Sequence, residues 1–247
     1  IEFLRAPLNP SPLAGHSFTF EAGPLSGFVL DIRCSRSDLE PPPPRLTSEA
    51  ELSELESWAK SLTGPGVLAL GQPLTLDAGT WPEPNPVAFR EHFARIGAAV
   101  ASAPFDVAVL AGDLHVSQLL ELDLHGRRIF EITSSPLTRI PSFGRNMLRR
   151  IVPIREDQEP AEVRLVDPRS AGAPISIERY LMGTSAPNTY ALVDAEALGD
   201  GRVSLEVTFV DPARHAGAPC EPDKGLALVP SVGVGDPCRT KITLGPR

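Results

Sequence analysis

The chain has 247 residues, of which 42% are hydrophobic, and its 23 Lys and Arg against 31 Asp and Glu give a net charge of −8. This acidic balance argues against an extended surface for DNA or RNA, because a polyanion requires a basic face. The longest apolar runs fall well short of the roughly 20 residues that a membrane helix needs, so no transmembrane segment is predicted.

The first residue is Ile1, and the only methionines are Met147 and Met182, so no translation start is visible. We therefore expect an amino-terminal part to be missing, and any signal peptide would belong to it. Among the three cysteines, Cys220 and Cys238 lie close enough in a Gly- and Pro-rich stretch to be bridged, which would leave Cys34 over. The alternative is three free thiols, so the cysteines do not decide the compartment.

The first half of the chain alternates strand and helix patterns, which is typical of a sheet covered by helices. The first predicted strand is the mostly apolar run 27–33. A helix is predicted to start at Ser48, because Glu51 follows three residues later in a capping-box pattern. Its apolar stripe consists of Leu52, Leu55, Trp58, Ala59 and Leu62.

The same alternation continues with a strand at 67–70, which runs into the loop Gly71-Gln72-Pro73. A second helix is predicted from Asn85-Pro86, a favourable helix start. Its buried face repeats at three- and four-residue spacing and comprises Phe89, Phe93, Ile96 and Val100. The strand 106–111 follows and runs into Gly112-Asp113-Leu114-His115.

Antiparallel structure is predicted after this point. Residues 119–124 and 127–132 alternate in polarity around His125-Gly126, which predicts a two-residue hairpin turn. A second hairpin is predicted from residues 190–195 and 203–210.

The remaining segments give weaker patterns. Residues 141–186 mix charges, prolines and short apolar runs, which predicts long loops around one strand at 162–166. The stretch 211–247 is rich in Gly and Pro and is predicted to be an irregular tail.

Two polar loops follow predicted strands, one at Gln72 and one at Asp113 and His115. In open sheets of this kind, ligands bind beyond the carboxyl ends of the strands. An Asp and a His two residues apart can face one site in an extended loop, and imidazole with carboxylate suits a metal. The pattern has a simpler interpretation as well, because an Asp at a strand end often caps the following turn.

Residues 107–115, taken with Glu131-Ile132-Thr133-Ser134-Ser135-Pro136-Leu137, resemble the PhoD-like, calcineurin-like metallophosphoesterases. Residues 30–33 with Arg36, then 68–74 and 188–191, resemble further segments of that family in the same order, so the similarity covers roughly Phe18 to Phe209. The resemblance implies a mixed α/β fold that is part of a four-layer α/β/β/α sandwich, with metals at the strand ends on one edge. Residues 1–210 would be the carboxyl-terminal part of that domain.

The resemblance also implies roles for individual residues. His115 would be a metal ligand, and Asp113 would be a second ligand or an orienting group. Gln72 stands where many relatives carry a histidine ligand, so it would either bind metal through its amide oxygen or stabilise its loop by a hydrogen bond. Two divalent ions, Zn, Fe, Mn or Ca, would activate a hydroxide that hydrolyses a small phosphomonoester or phosphodiester. An extracytoplasmic location would fit the family.

The chain departs from the family in one respect. The family's early metal motifs, Asp-x-His, Gly-Asp and Asn or Asp followed by His, have no counterpart ahead of Gly112. We therefore expect the remaining metal donors on a missing amino-terminal half of the same protein. The alternative is a catalytically degenerate or accessory relative that keeps the scaffold without the chemistry.

Other polar residues receive structural interpretations. His92 and His125 are expected to be solvated or partly packed, and Glu131 is expected to hydrogen-bond within the wall of the site. Arg33, Arg36 and Arg139 are expected to pair with structural carboxylates rather than with a phosphate.

Overall fold

The computed structural model describes residues 16–37, 44–74, 89–112, 117–124, 126–134, 163–164, 174–184, 190–210 and 239–247. Within these ranges there are two helices, α1 (Glu49–Ser61) and α2 (Arg90–Ser102), together with eleven strands. The strands are β1 (Phe18–Ala22), β2 (Leu25–Val29), β3 (Gly66–Ala69), β4 (Val107–Ala111), β5 (Ser117–Leu124), β6 (Arg127–Thr133), β7 (Val163–Arg164), β8 (Pro174–Thr184), β9 (Tyr190–Ala197), β10 (Val203–Val210) and β11 (Arg239–Leu244).

The described strands form two sheets. The larger has the order β1-β2-β3-β4-β6-β5-β8-β7, and the smaller has the order β11-β10-β9. Strands β2, β3, β4 and β6 are parallel neighbours, whereas β5 is antiparallel to both β6 and β8. This arrangement confirms the predicted mixed α/β class, and it places the strands that precede Asp31, Gln72 and Gly112 side by side.

The larger sheet has a separate apolar core on each face. One core lies beneath the helices, where Leu52, Leu55 and Trp58 of α1 and Phe93 and Ile96 of α2 pack with residues of the sheet. The other core joins the two sheets and contains Val67, Ala108, Leu119, Phe130, Ile132, Val203, Leu205, Val207, Phe209, Ile242 and Leu244. The described residues therefore form three layers, which are helices, a large sheet and a small sheet.

Local signals account for the helices. Ser48 accepts a hydrogen bond from the Glu51 amide, and Glu51 accepts one from the Ser48 amide, so the predicted capping box is present. The predicted apolar stripe of α1 is buried, as are Phe89, Phe93, Ile96 and Val100 of α2. Asn85 and Pro86, the predicted helix start, lie outside the described residues. Both described helices have 13 residues, and neither qualifies as a membrane span.

The predicted hairpins are confirmed. β5 and β6 pair in antiparallel register around Gly126, whose φ of 74° requires the left-handed region that glycine adopts readily. β9 and β10 form the second hairpin, with Asp200 and Gly201 in its turn at φ of 50° and 75°.

Four strand assignments differ from the sequence predictions. β1 was not predicted, and it pairs with β2 around Gly23-Pro24. β2 ends at Val29 rather than Arg33, because Asp31 turns the backbone beyond it. β8 occupies eleven residues of a segment predicted to be loops. β11 lies within the predicted irregular tail, because the alternating run Arg239–Leu244 pairs with β10. Residues 211–238 of that tail lie outside the described part of the chain.

Candidate functional site at the carboxyl edge

The parallel strands β2, β3, β4 and β6 all end at one side of the larger sheet, which we call the carboxyl edge. Asp31 follows β2, Gln72 follows β3, Gly112 follows β4 and Ser134 follows β6. Ser117 also lies here, because β5 runs antiparallel to β6 and therefore begins where β6 ends. The edge collects polar side chains from four strands and a glycine from the fifth, as expected for the ligand side of an open sheet.

Glu131 fixes the loop that follows β3. Its carboxylate Oε2 accepts a hydrogen bond of 2.6 Å from the amide of Leu74, and Glu131 is fully buried. Gln72, two residues before Leu74, is also buried, at 1% exposure. Glu131 therefore holds the backbone beside Gln72, in agreement with its expected role within the wall of the site.

Ser134 connects the carboxyl edge to the smaller sheet. Its amide donates to the carbonyl of Ala111 over 2.9 Å, and its hydroxyl oxygen accepts from the amide of Ala191 on β9 over 3.1 Å. The side chains of the Glu131-x-x-Ser134 pattern thus accept two backbone hydrogen bonds, one at Glu131 from the loop after β3 and one at Ser134 from β9.

Asp31 closes a turn at the end of β2. Its Oδ1 accepts from the amides of Arg33 (2.8 Å) and Cys34 (3.2 Å). Burial would raise the pKa of Asp31, but hydrogen bonds from the Cys34 thiol and these amides outweigh it and lower the pKa. Cys34 is an exposed free thiol whose pKa is raised by the same hydrogen bond to Asp31.

A buried carboxylate lies behind this turn. The Ser17 hydroxyl accepts from the Asp31 amide over 3.0 Å and donates to Glu51 Oε1 over 2.7 Å. Thr47 and Ser48 donate to Glu51 Oε2, each over 2.7 Å. Burial opposes ionisation of Glu51, but these hydrogen bonds prevail and lower its pKa to about 2. Sequence analysis identified Glu51 only as a capping residue and missed its link to the carboxyl edge.

Gln118 and Thr133 form a second group that sequence analysis missed. They face each other across β5 and β6 at the carboxyl edge, and both are fully buried. Three of their side-chain atoms, Gln118 Oε1, Gln118 Nε2 and Thr133 Oγ1, have no hydrogen-bond partner among the described residues. The available signal in the sequence was that Gln118 lies on the same face of its strand as buried leucines.

Of the sequence-predicted site residues, Gln72 lies at the carboxyl edge, whereas Asp113 and His115 lie outside the described residues. Gly112, the last described residue before them, does lie at this edge. A Cβ atom there would come no closer than 3.9 Å to any described atom, so close packing does not explain the glycine. Among the described residues, no group of three or more His, Cys, Asp or Glu is arranged to hold a metal.

His92 is more deeply packed than predicted. It is 5% exposed, and its Nδ1 accepts from the amides of Leu46 and Thr47 at 3.3 and 3.4 Å. Burial lowers its pKa, although Glu49, 3.8 Å from Nε2, partly offsets the effect. His92 thus has a structural role, because it holds the backbone that precedes α1. His125 and Arg139 lie outside the described residues, and Arg33 and Arg36 are exposed.

Comparisons with known proteins found no match to this chain. No protein-family model, no curated protein and no solved structure matches the chain. The resemblance to the PhoD-like metallophosphoesterases therefore depends on the motifs of this sequence and on their positions along the strands.

Proposed function

We propose that this chain is part of a metal-dependent phosphoesterase that hydrolyses small phosphomonoesters or phosphodiesters. The observation that supports this function best is the direction of the strands. β4 leads into Gly112-Asp113-Leu114-His115 at the same edge at which β3 leads into the buried Gln72. Gly112, which opens the motif that contains Asp113 and His115, therefore lies at the same side of the sheet as Gln72.

In this proposal, His115, Asp113 and Gln72 hold metal. An imidazole, a carboxylate and an amide oxygen are suitable donors for divalent Zn, Fe, Mn or Ca. Divalent ions bound here would lower the pKa of a coordinated water and neutralise charge developing on the phosphate. Glu131 would act indirectly, because its hydrogen bond to the Leu74 amide keeps the Gln72 loop against the end of the sheet.

The proposed site is incomplete within this chain. A pair of metal ions about 3.5–4 Å apart requires more donors than three. We propose that residues preceding Ile1 supply the others and complete a four-layer α/β/β/α sandwich. The outer face of the smaller sheet carries Asp194, Glu206 and Lys241, with Lys241 Nζ 3.2 Å from Glu206 Oε2. The fourth layer would therefore pack either against this charged face or against additional strands of the smaller sheet.

The test compares two histidines in the full-length protein. His115→Ala should abolish most hydrolysis of a chromogenic phosphodiester and reduce the metal content, since a lost ligand costs more than the roughly 10- to 100-fold effect of an outer-shell change. His125→Ala, the matched control, should change neither quantity. Equal losses in both variants would show that the site is elsewhere. A wild-type protein without turnover would favour the degenerate relative.

The chain by itself gives a second test. Residues 1–247 alone should bind Mn²⁺ or Zn²⁺ weakly and should show negligible turnover, because three donors cannot position both ions and the attacking water. Robust turnover that disappears in His115→Ala would contradict the proposed incompleteness. It would mean that further donors in the chain, such as His16 or Asp77, complete the centre.

A further inference from the structure

A histidine of α2 holds the backbone that leads into α1. Residues 45–47, which we call the strap, lie against His92, whose Nδ1 accepts from the amides of Leu46 (3.3 Å) and Thr47 (3.4 Å). Because Nδ1 accepts from both amides, the proton of the neutral ring lies on Nε2. His92, Leu46 and Thr47 are all buried, so these bonds are shielded from water.

The strap also holds the loop that follows β2. The Ser37 amide donates to the Arg45 carbonyl, and the Arg45 amide donates to the Ser37 hydroxyl oxygen, both over 2.8 Å. Ser37 follows the turn that Asp31 closes at the carboxyl edge. These two bonds therefore tie the strap to backbone that continues from this edge.

A second connection between the strap and the same turn runs through side chains. Thr47 Oγ1 donates to Glu51 Oε2 over 2.7 Å. The Ser17 hydroxyl donates to Glu51 Oε1 over 2.7 Å and accepts from the Asp31 amide over 3.0 Å. His92 is therefore joined to the carboxyl edge by two contiguous series of hydrogen bonds, and both pass through the strap.

We propose that His92 is a pH-sensitive latch whose protonation releases the strap and loosens the loop after β2 at the carboxyl edge. A proton on Nδ1 removes the acceptor of both strap amides and places a positive charge against their N–H groups. When the strap opens, water hydrates the imidazolium and the freed amides, so protonation and opening favour each other. The latch involves no metal ligand and does not rest on the proposed function.

The surroundings of His92 fix the direction of the response. Charged groups around the ring come from α1, α2 and the strap, and they are Glu49, Glu56, Lys60, Glu91, Arg95 and Arg45. Burial is the largest influence and lowers the pKa of His92, while Glu49 and Glu91 oppose this effect and the two arginines add to it. In the open strap the pKa returns to its ordinary 6.5, so acid favours opening.

The other acids of the network do not respond in the same pH range. Burial opposes ionisation of Glu51 and Asp31, but hydrogen bonds lower both pKa values, so each carboxylate keeps its charge near pH 6. A change in the strap near this pH therefore reports His92.

Hydrogen exchange of single amides in the full-length protein tests the latch. One proton linked to opening should lower protection factors by up to about tenfold between about pH 7.5 and about pH 5.5. We expect this fall at the amides of Thr47, Ser37 and Asp31, all with less protection than the Leu70 amide, which bonds to a neighbouring strand of the sheet. His92→Gln offers an oxygen acceptor but no titrating ring, so its protection factors should stay constant.

Several outcomes would overturn the latch. Constant protection at Thr47 in the wild type would show that the strap does not respond to acid, and a fall at Thr47 without one at Ser37 and Asp31 would show that the response stops at the strap. One common protection factor that includes Leu70 would mean that acid acts only through global unfolding. These results need only the wild-type protein. A fall that persists in folded His92→Gln would assign the response to another group.

Discussion

The guanidinium of Arg247 contacts the carboxylate of Asp106, with Nε 3.0 Å from Oδ1 across 141 positions of sequence. The two side chains are only 7% and 10% exposed. Arg247 also donates to the carbonyls of Val100 and Ala101 at the end of α2, and to the carbonyl of Arg128 at the start of β6. One side chain thus joins the ends of three elements.

Replacing Arg247 by alanine should destabilise the fold substantially. The change removes the closest cationic partner of the nearly buried Asp106, which keeps the Gly245 amide at 3.0 Å and the half-exposed Arg128 at 3.6 Å. We therefore expect a cost of about 1–3 kcal/mol, the range for lost hydrogen bonds to a charged group. The matched control is Lys241→Ala, because Lys241 is 64% exposed and its pair with Glu206 is worth at most about 1 kcal/mol. Urea unfolding measures both free energies, and similar losses in the two variants would contradict the assignment.

Glu51 should make the stability dependent on acid pH. Its folded-state pKa of about 2 lies below the ordinary 4.5, so its contribution is complete above about pH 4.5 and disappears as the pH falls towards 2. The difference corresponds to about 3 kcal/mol at neutral pH. Glu51→Gln should therefore be much less stable than wild type at pH 7 and nearly equal to it near pH 2. A difference between Glu51→Gln and wild type that stays constant over this pH range would refute this assignment.

His92 should add a second acid-sensitive step at higher pH. Since burial lowers the pKa of this imidazole below its ordinary 6.5, the unfolded chain binds its proton more readily than the folded chain. The contribution of His92 to the free energy of unfolding is therefore complete above about pH 6.5 and falls as the pH decreases below it. NMR titration should give a His92 midpoint below 6.5, and His92→Gln should remove this part of the pH dependence. A midpoint above 6.5 would contradict the burial argument.

Gly27 should tolerate a methyl group only when Phe20 is absent. The two residues are registered partners on β2 and β1, and a Cβ at Gly27 would lie 2.2 Å from Phe20 Cζ. Gly27→Ala should therefore cost about 1–3 kcal/mol through overpacking. In a Phe20→Ala background the same change should be neutral or stabilising, because alanine loses less chain entropy than glycine in a strand. An equal cost in both backgrounds, measured by urea unfolding, would show that the ring is not responsible.

Elements specified by neighbouring residues were predictable from the sequence. The capping box at Ser48 and Glu51 and the turn at Gly126 each require only a few adjacent positions. β8 was not predictable in this way, because its pairing with β5 involves residues more than fifty positions apart and contains two register shifts. β11 was hidden because a six-residue strand contributes little to the average composition of a Gly- and Pro-rich tail.

The residues of the candidate site also differ in how far their positions could be predicted from the sequence. Strand directions were enough to predict that Gln72 and Gly112 lie at one edge, since parallel strands bring their carboxyl ends together. The predicted β5–β6 hairpin already pairs Gln118 with Thr133. The burial of Gln118 could not be predicted with the same ease, because it depends on the elements that cover this face of the sheet, which lie far away in the sequence.

The alternation along β6 also restricts how the length of this protein can change. Ile129 packs beneath the helices, whereas Phe130 and Ile132 pack between the sheets, so odd and even positions serve different cores. Inserting one residue within β6 would exchange these assignments for every position beyond it and would turn Glu131 towards the apolar space between the sheets. Insertions of two residues, or extensions of the turn beside Gly126, preserve the parity. The turn can therefore gain residues freely, whereas β6 can change its length only by an even number of residues.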